Sequence, residues 1–119
     1  MSEATETELG PERVRDLVDQ GAQVVDVRED REWDAGRMPG SLHVELNELT
    51  ARAGELDRDR PVVFVCRTGN RSTMAADAFR EVGWEAHNMA GGLVAWVEAG
   101  HPLEPEGGEV LDRKGRPAG

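Results

Sequence analysis

Cysteine occurs once in this sequence, at Cys66. One thiol excludes an internal disulfide, and with it the small cross-linked scaffolds of secreted proteins. No apolar run approaches the roughly 18 residues needed to span a bilayer. The N-terminus, MSEATETELG, has neither a basic opening segment nor an apolar one, so no secretory signal and a reduced, cytoplasmic setting are expected. Basic residues are scarce: 14 Lys and Arg stand against 24 Asp and Glu, a formal charge of −10. That balance argues against nucleic acid or an anionic membrane as a partner, since both need basic patches. The sequence shows no internal repeat and no linker. His43, His87 and His101 share no metal-like spacing with one another or with Cys66, and no metal or other cofactor is expected.

What is present suits a single globular domain, with 38% hydrophobic and 32% charged residues. The expected boundaries are a flexible acidic arm over residues 1–8, a domain over 9–103 and a loosely ordered tail over 104–119, where Gly, Pro and charge dominate. Between the ends, β-branched and helical patterns alternate. Pro11 opens a helix to Gln20, stopped by Gly21. QVVDV, residues 23–27, reads as a strand. Residues 29–36 form a short helical turn, 42–45 another strand and 46–53 a weak helix. PVVFV, residues 61–65, is apolar without alternation, the mark of a strand buried on both faces. A helix over 71–82 is expected to bury Met74, Ala75, Ala78, Phe79 and Val82. A weaker strand covers 85–89, Gly91 and Gly92 make a turn, and a last helix covers 93–99. Trp33, Trp84 and Trp96 read as packing residues. This order predicts an α/β domain with a mainly parallel sheet and helices on both faces.

Sites in such sheets form where strands end and loops lead into helices. Cys66 falls at that point, followed by Arg67, Thr68, Gly69, Asn70, Arg71 and Ser72. Between residues 61 and 76 there are two arginines and no acid, a positive island in an acidic chain. A cysteine is nucleophilic as thiolate. The amides and dipole of the next helix and the two arginines should favour that form, and Gly69 and Asn70 allow the loop to curl into an anion nest. The reading requires amides and guanidinium groups to converge on a sulfur that water can reach. The plainer reading, a small core residue ending a buried strand, leaves the polar run after Cys66 without a purpose. Phosphate-ester chemistry at a cysteine, as in phosphatases or arsenate reductases, places an arginine after five intervening residues; Ser72 stands there, and Arg71 comes one residue early. A tighter cradle suits a smaller, sulfur-centred anion. A non-catalytic redox-sensing or interaction module is the other alternative.

Three stretches, in order, resemble the rhodanese (sulfurtransferase) family in its single-domain form: DVREDREWDAGRMPGSLHV at 26–44, CRTGNRS at 66–72 and MAGGLVAWVEAGHPL at 89–103. Arg37, Met38 and Ser41 stand where the family usually has His, Ile and Ala; Arg37 is expected to face solvent. The resemblance implies a rhodanese-like fold with a five-stranded parallel sheet. It implies that Cys66 takes sulfur from a small anionic donor such as thiosulfate, forming a persulfide, and passes it to cyanide, a thiol or a protein acceptor. The loop from Arg67 to Ser72 would bind the donor and cradle the persulfide. Asp26, Arg28 and Glu32 are read as structural support rather than as catalysts.

Overall fold

Val62, Val63, Phe64 and Val65 are fully buried, and the reason is their place in the sheet. The computed structural model describes residues 6–112 together with 114 and 116. The five strands are β1 (Glu8–Leu9), β2 (Gln23–Asp26), β3 (Leu42–His43), β4 (Val62–Val65) and β5 (Ala86–Met89). They pair in the order β1-β5-β4-β2-β3, every pair parallel. β4 is central, so its alternate side chains enter two different cores. Val62 and Phe64 join Val25, Val27, Ala75, Ala76 and Phe79 on one side. Val63 and Val65 join Val14, Met89, Leu93 and Trp96 on the other. Burying Phe64 alone contributes about 2–3 kcal/mol.

The helices α1 (Pro11–Asp19), α2 (Asp30–Ala35), α3 (Leu49–Arg52), α4 (Asn70–Glu81) and α5 (Gly92–Glu98) alternate with the strands. Short 3-10 turns flank α3 at Leu46–Glu48 and Ala53–Glu55. α4 lies over the first core and α1 and α5 over the second, which is the expected α/β arrangement. The buried stripe of α4 is Ser72, Ala75, Ala76 and Phe79. Met74, Ala78 and Val82, expected in it, are exposed, Met74 by 57% and Val82 by 63%. Small residues let the helix approach the sheet closely, and Phe79 meets Phe64 and Trp84 edge-on at 4.9 and 5.0 Å.

Two terminal expectations change. The fifth strand, β1, lies partly inside the segment read as an arm: Thr7 accepts a hydrogen bond from the Asn88 amide, and Glu8 pairs with Asn88. Residues 1–5 of that arm lie outside the described residues. The tail is tied down as far as residue 112. Glu104 and Arg37 exchange backbone hydrogen bonds at 2.8 and 2.9 Å, the Glu109 amide donates to the Ala35 carbonyl at 2.8 Å, and Val110 is buried in the second core. Arg37 accordingly does not simply face solvent: its guanidinium lies over the Trp33 ring, 4.9 Å from the centroid. Among the described residues no helix is long and apolar enough to cross a membrane.

Candidate active site

Cys66 directly follows β4, and three residues, Arg67, Thr68 and Gly69, carry the chain from there into α4. Gly69 has φ +104°, a conformation side chains resist, and this turns the loop back on itself. As a result the Gly69 amide donates to Cys66 Sγ at 3.1 Å. The Ser72 hydroxyl lies 3.3 Å from the same sulfur. No side chain caps α4, so its first-turn N–H groups face the loop without a side-chain acceptor.

The loop is also held from outside. At the start of α5, the Leu93 amide donates to the Cys66 carbonyl at 2.9 Å and the Val94 amide to the Arg67 carbonyl at 3.0 Å. Gly92 makes this approach fit, because a Cβ there would lie 2.6 Å from the Cys66 carbonyl oxygen and closer still to that of Arg67. The Gly91–Gly92 pair thus clamps the loop, a role its turn-forming composition did not reveal.

Two parts of the expected convergence are absent. Cys66 is 1% exposed and packs in the first core, so the sulfur is not open to water in this conformation. The loop folds over it while α4 packs from behind. Arg71 does not bond the sulfur either, although its charge interacts with Cys66. Its fork grips Glu32 with two hydrogen bonds, Nη1 to Oε1 at 2.8 Å and Nη2 to Oε2 at 2.9 Å. Glu32 is the stronger claimant because it is a buried carboxylate, and a buried charge needs a paired partner. Burial alone would push the Glu32 carboxyl up; the Arg71 hydrogen bonds, then the Glu29 amide and the charges of Arg71 and Arg28, outweigh it and hold it below its ordinary 4.5. Arg67 has no carboxylate partner among the described residues, and its buried Nε has no acceptor.

Asp26, Arg28 and Glu32 are all fully buried, far from a surface ion pair. Arg28 grips Asp26 (Nε–Oδ1 2.9 Å, Nη2–Oδ2 2.7 Å) and donates to the Gly36 carbonyl at 2.7 Å, fixing the β2–α2 corner. Glu32 accepts the Glu29 amide at the start of α2 and reaches the loop through Arg71. None of the three bonds to Cys66. Thr68 and Asn70 are exposed on the loop.

Residues that the sequence did not single out complete the surroundings. Ser72 also bonds Asn88 Oδ1, and Asn88 Nδ2 donates to Glu8 Oε1 at 2.9 Å. The available signal was a polar residue, Asn88, inside a short buried strand. Among the described residues one group has metal-ligand proximity: Asp30, His43 and Glu45, with ligand atoms within 4.8 Å of one another. Burial, then the neighbouring Asp30 carboxylate, pushes Glu45 up. Among the described residues no histidine bonds to Cys66.

Comparison with known proteins agrees with this geometry. The family profile described as "Rhodanese-like domain" matches residues 10–99. The chain is 34% identical over 103 residues to a protein of Pseudomonas aeruginosa named thiosulfate sulfurtransferase GlpE, covering 86% of this chain and 93% of that one. A rhodanese-related protein from Thermoplasma volcanium superposes with a TM-score of 0.77 at 27% identity, over 83% of this chain and 98% of that one. A Rhodopseudomonas palustris protein titled "possible tyrosine phosphatase" superposes with a TM-score of 0.72 at 27% identity, over 83% of this chain and 85% of that one. With a five-stranded parallel sheet, a thiol at the carboxyl end of its central strand and a profile match across most of its length, this chain belongs to the rhodanese-like domain family.

Proposed function

We propose that the chain is a sulfurtransferase that moves sulfane sulfur from a donor such as thiosulfate to cyanide or a thiol acceptor through a persulfide on Cys66. The observation that carries this reading is the Gly69 amide and Ser72 hydroxyl directed at Cys66 Sγ, where β4 ends. A core thiol needs no such donors; a sulfur that carries negative charge does. In the first step the Cys66 thiolate attacks the outer sulfur of thiosulfate. A new S–S bond forms as the old one breaks, and sulfite leaves with the electron pair. In the second, the acceptor attacks the outer sulfur of the persulfide, and Cys66 departs as thiolate. The burial of Cys66 adds a requirement: the loop must open far enough for the donor's terminal sulfur to touch Sγ. A reducing compartment, in which the thiol stays free, is part of the same proposal.

The phosphatase reading has in its favour a structural neighbour described as a possible tyrosine phosphatase. Against it stands the Arg71 fork, committed to Glu32 instead of being open to a phosphate. Incubation with thiosulfate is expected to add the mass of one sulfur atom to the intact chain. Cyanide should remove it, and Cys66→Ser should abolish it. A folded chain that gains no mass, yet turns over a phosphate ester, would reverse the choice.

A further inference from the structure

We infer that Lys114, carried on the C-terminal turn, belongs to the donor-binding site, where it and Arg67 hold the oxyanion end of a small anionic sulfur donor. The inference rests on the sulfurtransferase reading for the identity of the donor, but its geometry is independent of it. A cavity of about 350 Å³ opens at the loop. One side is made by Arg67, Asn70 and Arg71 of the loop, the other by Asp112, Lys114 and Arg116 of the tail. The tail therefore forms one wall of the cavity that opens at the loop following the candidate nucleophile.

The charges on that wall are not equivalent. Arg71 is committed to Glu32. Arg116 is committed to Asp112, Nε to Oδ2 at 2.9 Å. The Asp112 carboxylate also accepts the Lys114 amide at 2.9 Å and the Arg116 amide at 2.8 Å. The Arg116 amide first, then its side chain and the Lys114 amide, hold the Asp112 carboxyl below its ordinary value against the effect of burial. Asp112 is thus the knot of the turn, and its charge is consumed within it. Two cations remain on the cavity without a carboxylate partner among the described residues, Arg67 and Lys114. Arg67 brings a buried Nε–H that has no acceptor, and such a donor is costly until an acceptor arrives. Lys114 is exposed and is the only lysine in the chain. In a protein of net charge −10, uncommitted cations facing one cavity define where an anion binds.

The fold explains how a turn so far along the chain reaches this place. The pairing of Glu104 with Arg37, the Glu109–Ala35 hydrogen bond and the burial of Val110 carry the tail across the molecule. Residue 112 then arrives beside the loop without an intervening flexible segment. Lys114 so placed contributes affinity for the donor and takes no part in bond making.

The test compares Lys114→Glu and Lys114→Arg with the parent chain. Sulfate serves as a probe that carries no transferable sulfur. The first readout is the sulfate concentration that halves the rate of Cys66 alkylation by iodoacetamide; the second is the KM–kcat split with thiosulfate. Lys114→Glu is expected to raise both the protecting concentration and KM about five-fold, with kcat changed less than about two-fold, and Lys114→Arg to stay near the parent. Failure of sulfate to protect the parent would overturn the inference. So would a Lys114→Glu chain that is protected as well as the parent, or equal losses in both variants. If thiosulfate leaves no sulfur on Cys66, the proposed function fails, while the sulfate measurement still decides the role of Lys114.

Discussion

Ser72 has one proton to donate and two acceptors within reach, Cys66 Sγ and Asn88 Oδ1. Glu8 accepts from Asn88 Nδ2, which leaves Asn88 Oδ1 facing the hydroxyl. With a neutral thiol, the hydroxyl bonds Asn88 and accepts from S–H. With a negative sulfur it turns and donates to it. Ser72→Ala removes that donor at small steric cost, and a bond to a charged group contributes about 1.5–3 kcal/mol. Persulfide formation from thiosulfate, followed by mass on the folded variant, is therefore expected to slow at least about ten-fold. An unaltered rate would remove Ser72 from the site. Glu32 acts differently, through Arg71. Its carboxyl is held below the ordinary 4.5, so the folded chain binds that proton less readily than the unfolded one. The stabilisation is complete above the unfolded value and disappears as pH falls through the folded value. Glu32→Gln should cost about 2–3 kcal/mol in urea unfolding near neutrality. The difference from the parent should shrink as pH drops below 4.5. A difference that stayed constant with pH would show that the carboxylate charge is not what holds the loop.

Elements were legible where one kind of signal decided them. The unbroken PVVFV run specified a strand buried twice over, and Cys66 at its end specified the place of the loop. The face of α4 was not legible, because apolarity favours Met74 and Val82 whereas close packing on the sheet favours Ser72, Ala75 and Ala76. Nor could β1 be read, since its two residues acquire strand character only from pairing with β5. The α5 clamp was hidden for the same reason: two glycines say that a turn is allowed, not which backbone approaches it. Gly92 combines a positive φ of +62° with contact against the loop carbonyls. Gly92→Ala is expected to destabilise the fold by about 3 kcal/mol, through strain and displacement of the loop, and to cost activity in the surviving folded fraction. Gly54→Ala, where a Cβ meets nothing within 4 Å, should cost less than about 1 kcal/mol. Equal effects in thermal unfolding would mean that α5 does not clamp the loop.

At the scale of the whole molecule, composition misled about the tail. Gly, Pro and charge after residue 103 read as a loosely ordered tail, because few of those residues can contribute to a core. One apolar residue changes the outcome. Val110 is 7% exposed in the second core, and the backbone on its N-terminal side is satisfied by Ala35 and Arg37. Gly36 and Gly108 permit this approach, since a Cβ on Gly36 would stand 2.7 Å from the Glu109 amide nitrogen. The tail thus behaves as part of the domain as far as residue 112, and the cationic wall at the loop depends on that anchor. Val110→Asp places a carboxylate where an apolar side chain was buried, at a cost of about 2–3 kcal/mol. The parent chain should resist a glutamate-specific protease at Glu106 and Glu109, and the variant should be cut there quickly. Thiosulfate KM should rise in the variant as it does in Lys114→Glu, because both remove the same cation from the mouth, one by charge and the other by position. Rapid cutting of the parent at Glu109 would show the tail to be loose, as composition alone implied, and would leave Lys114 without a fixed place beside Arg67.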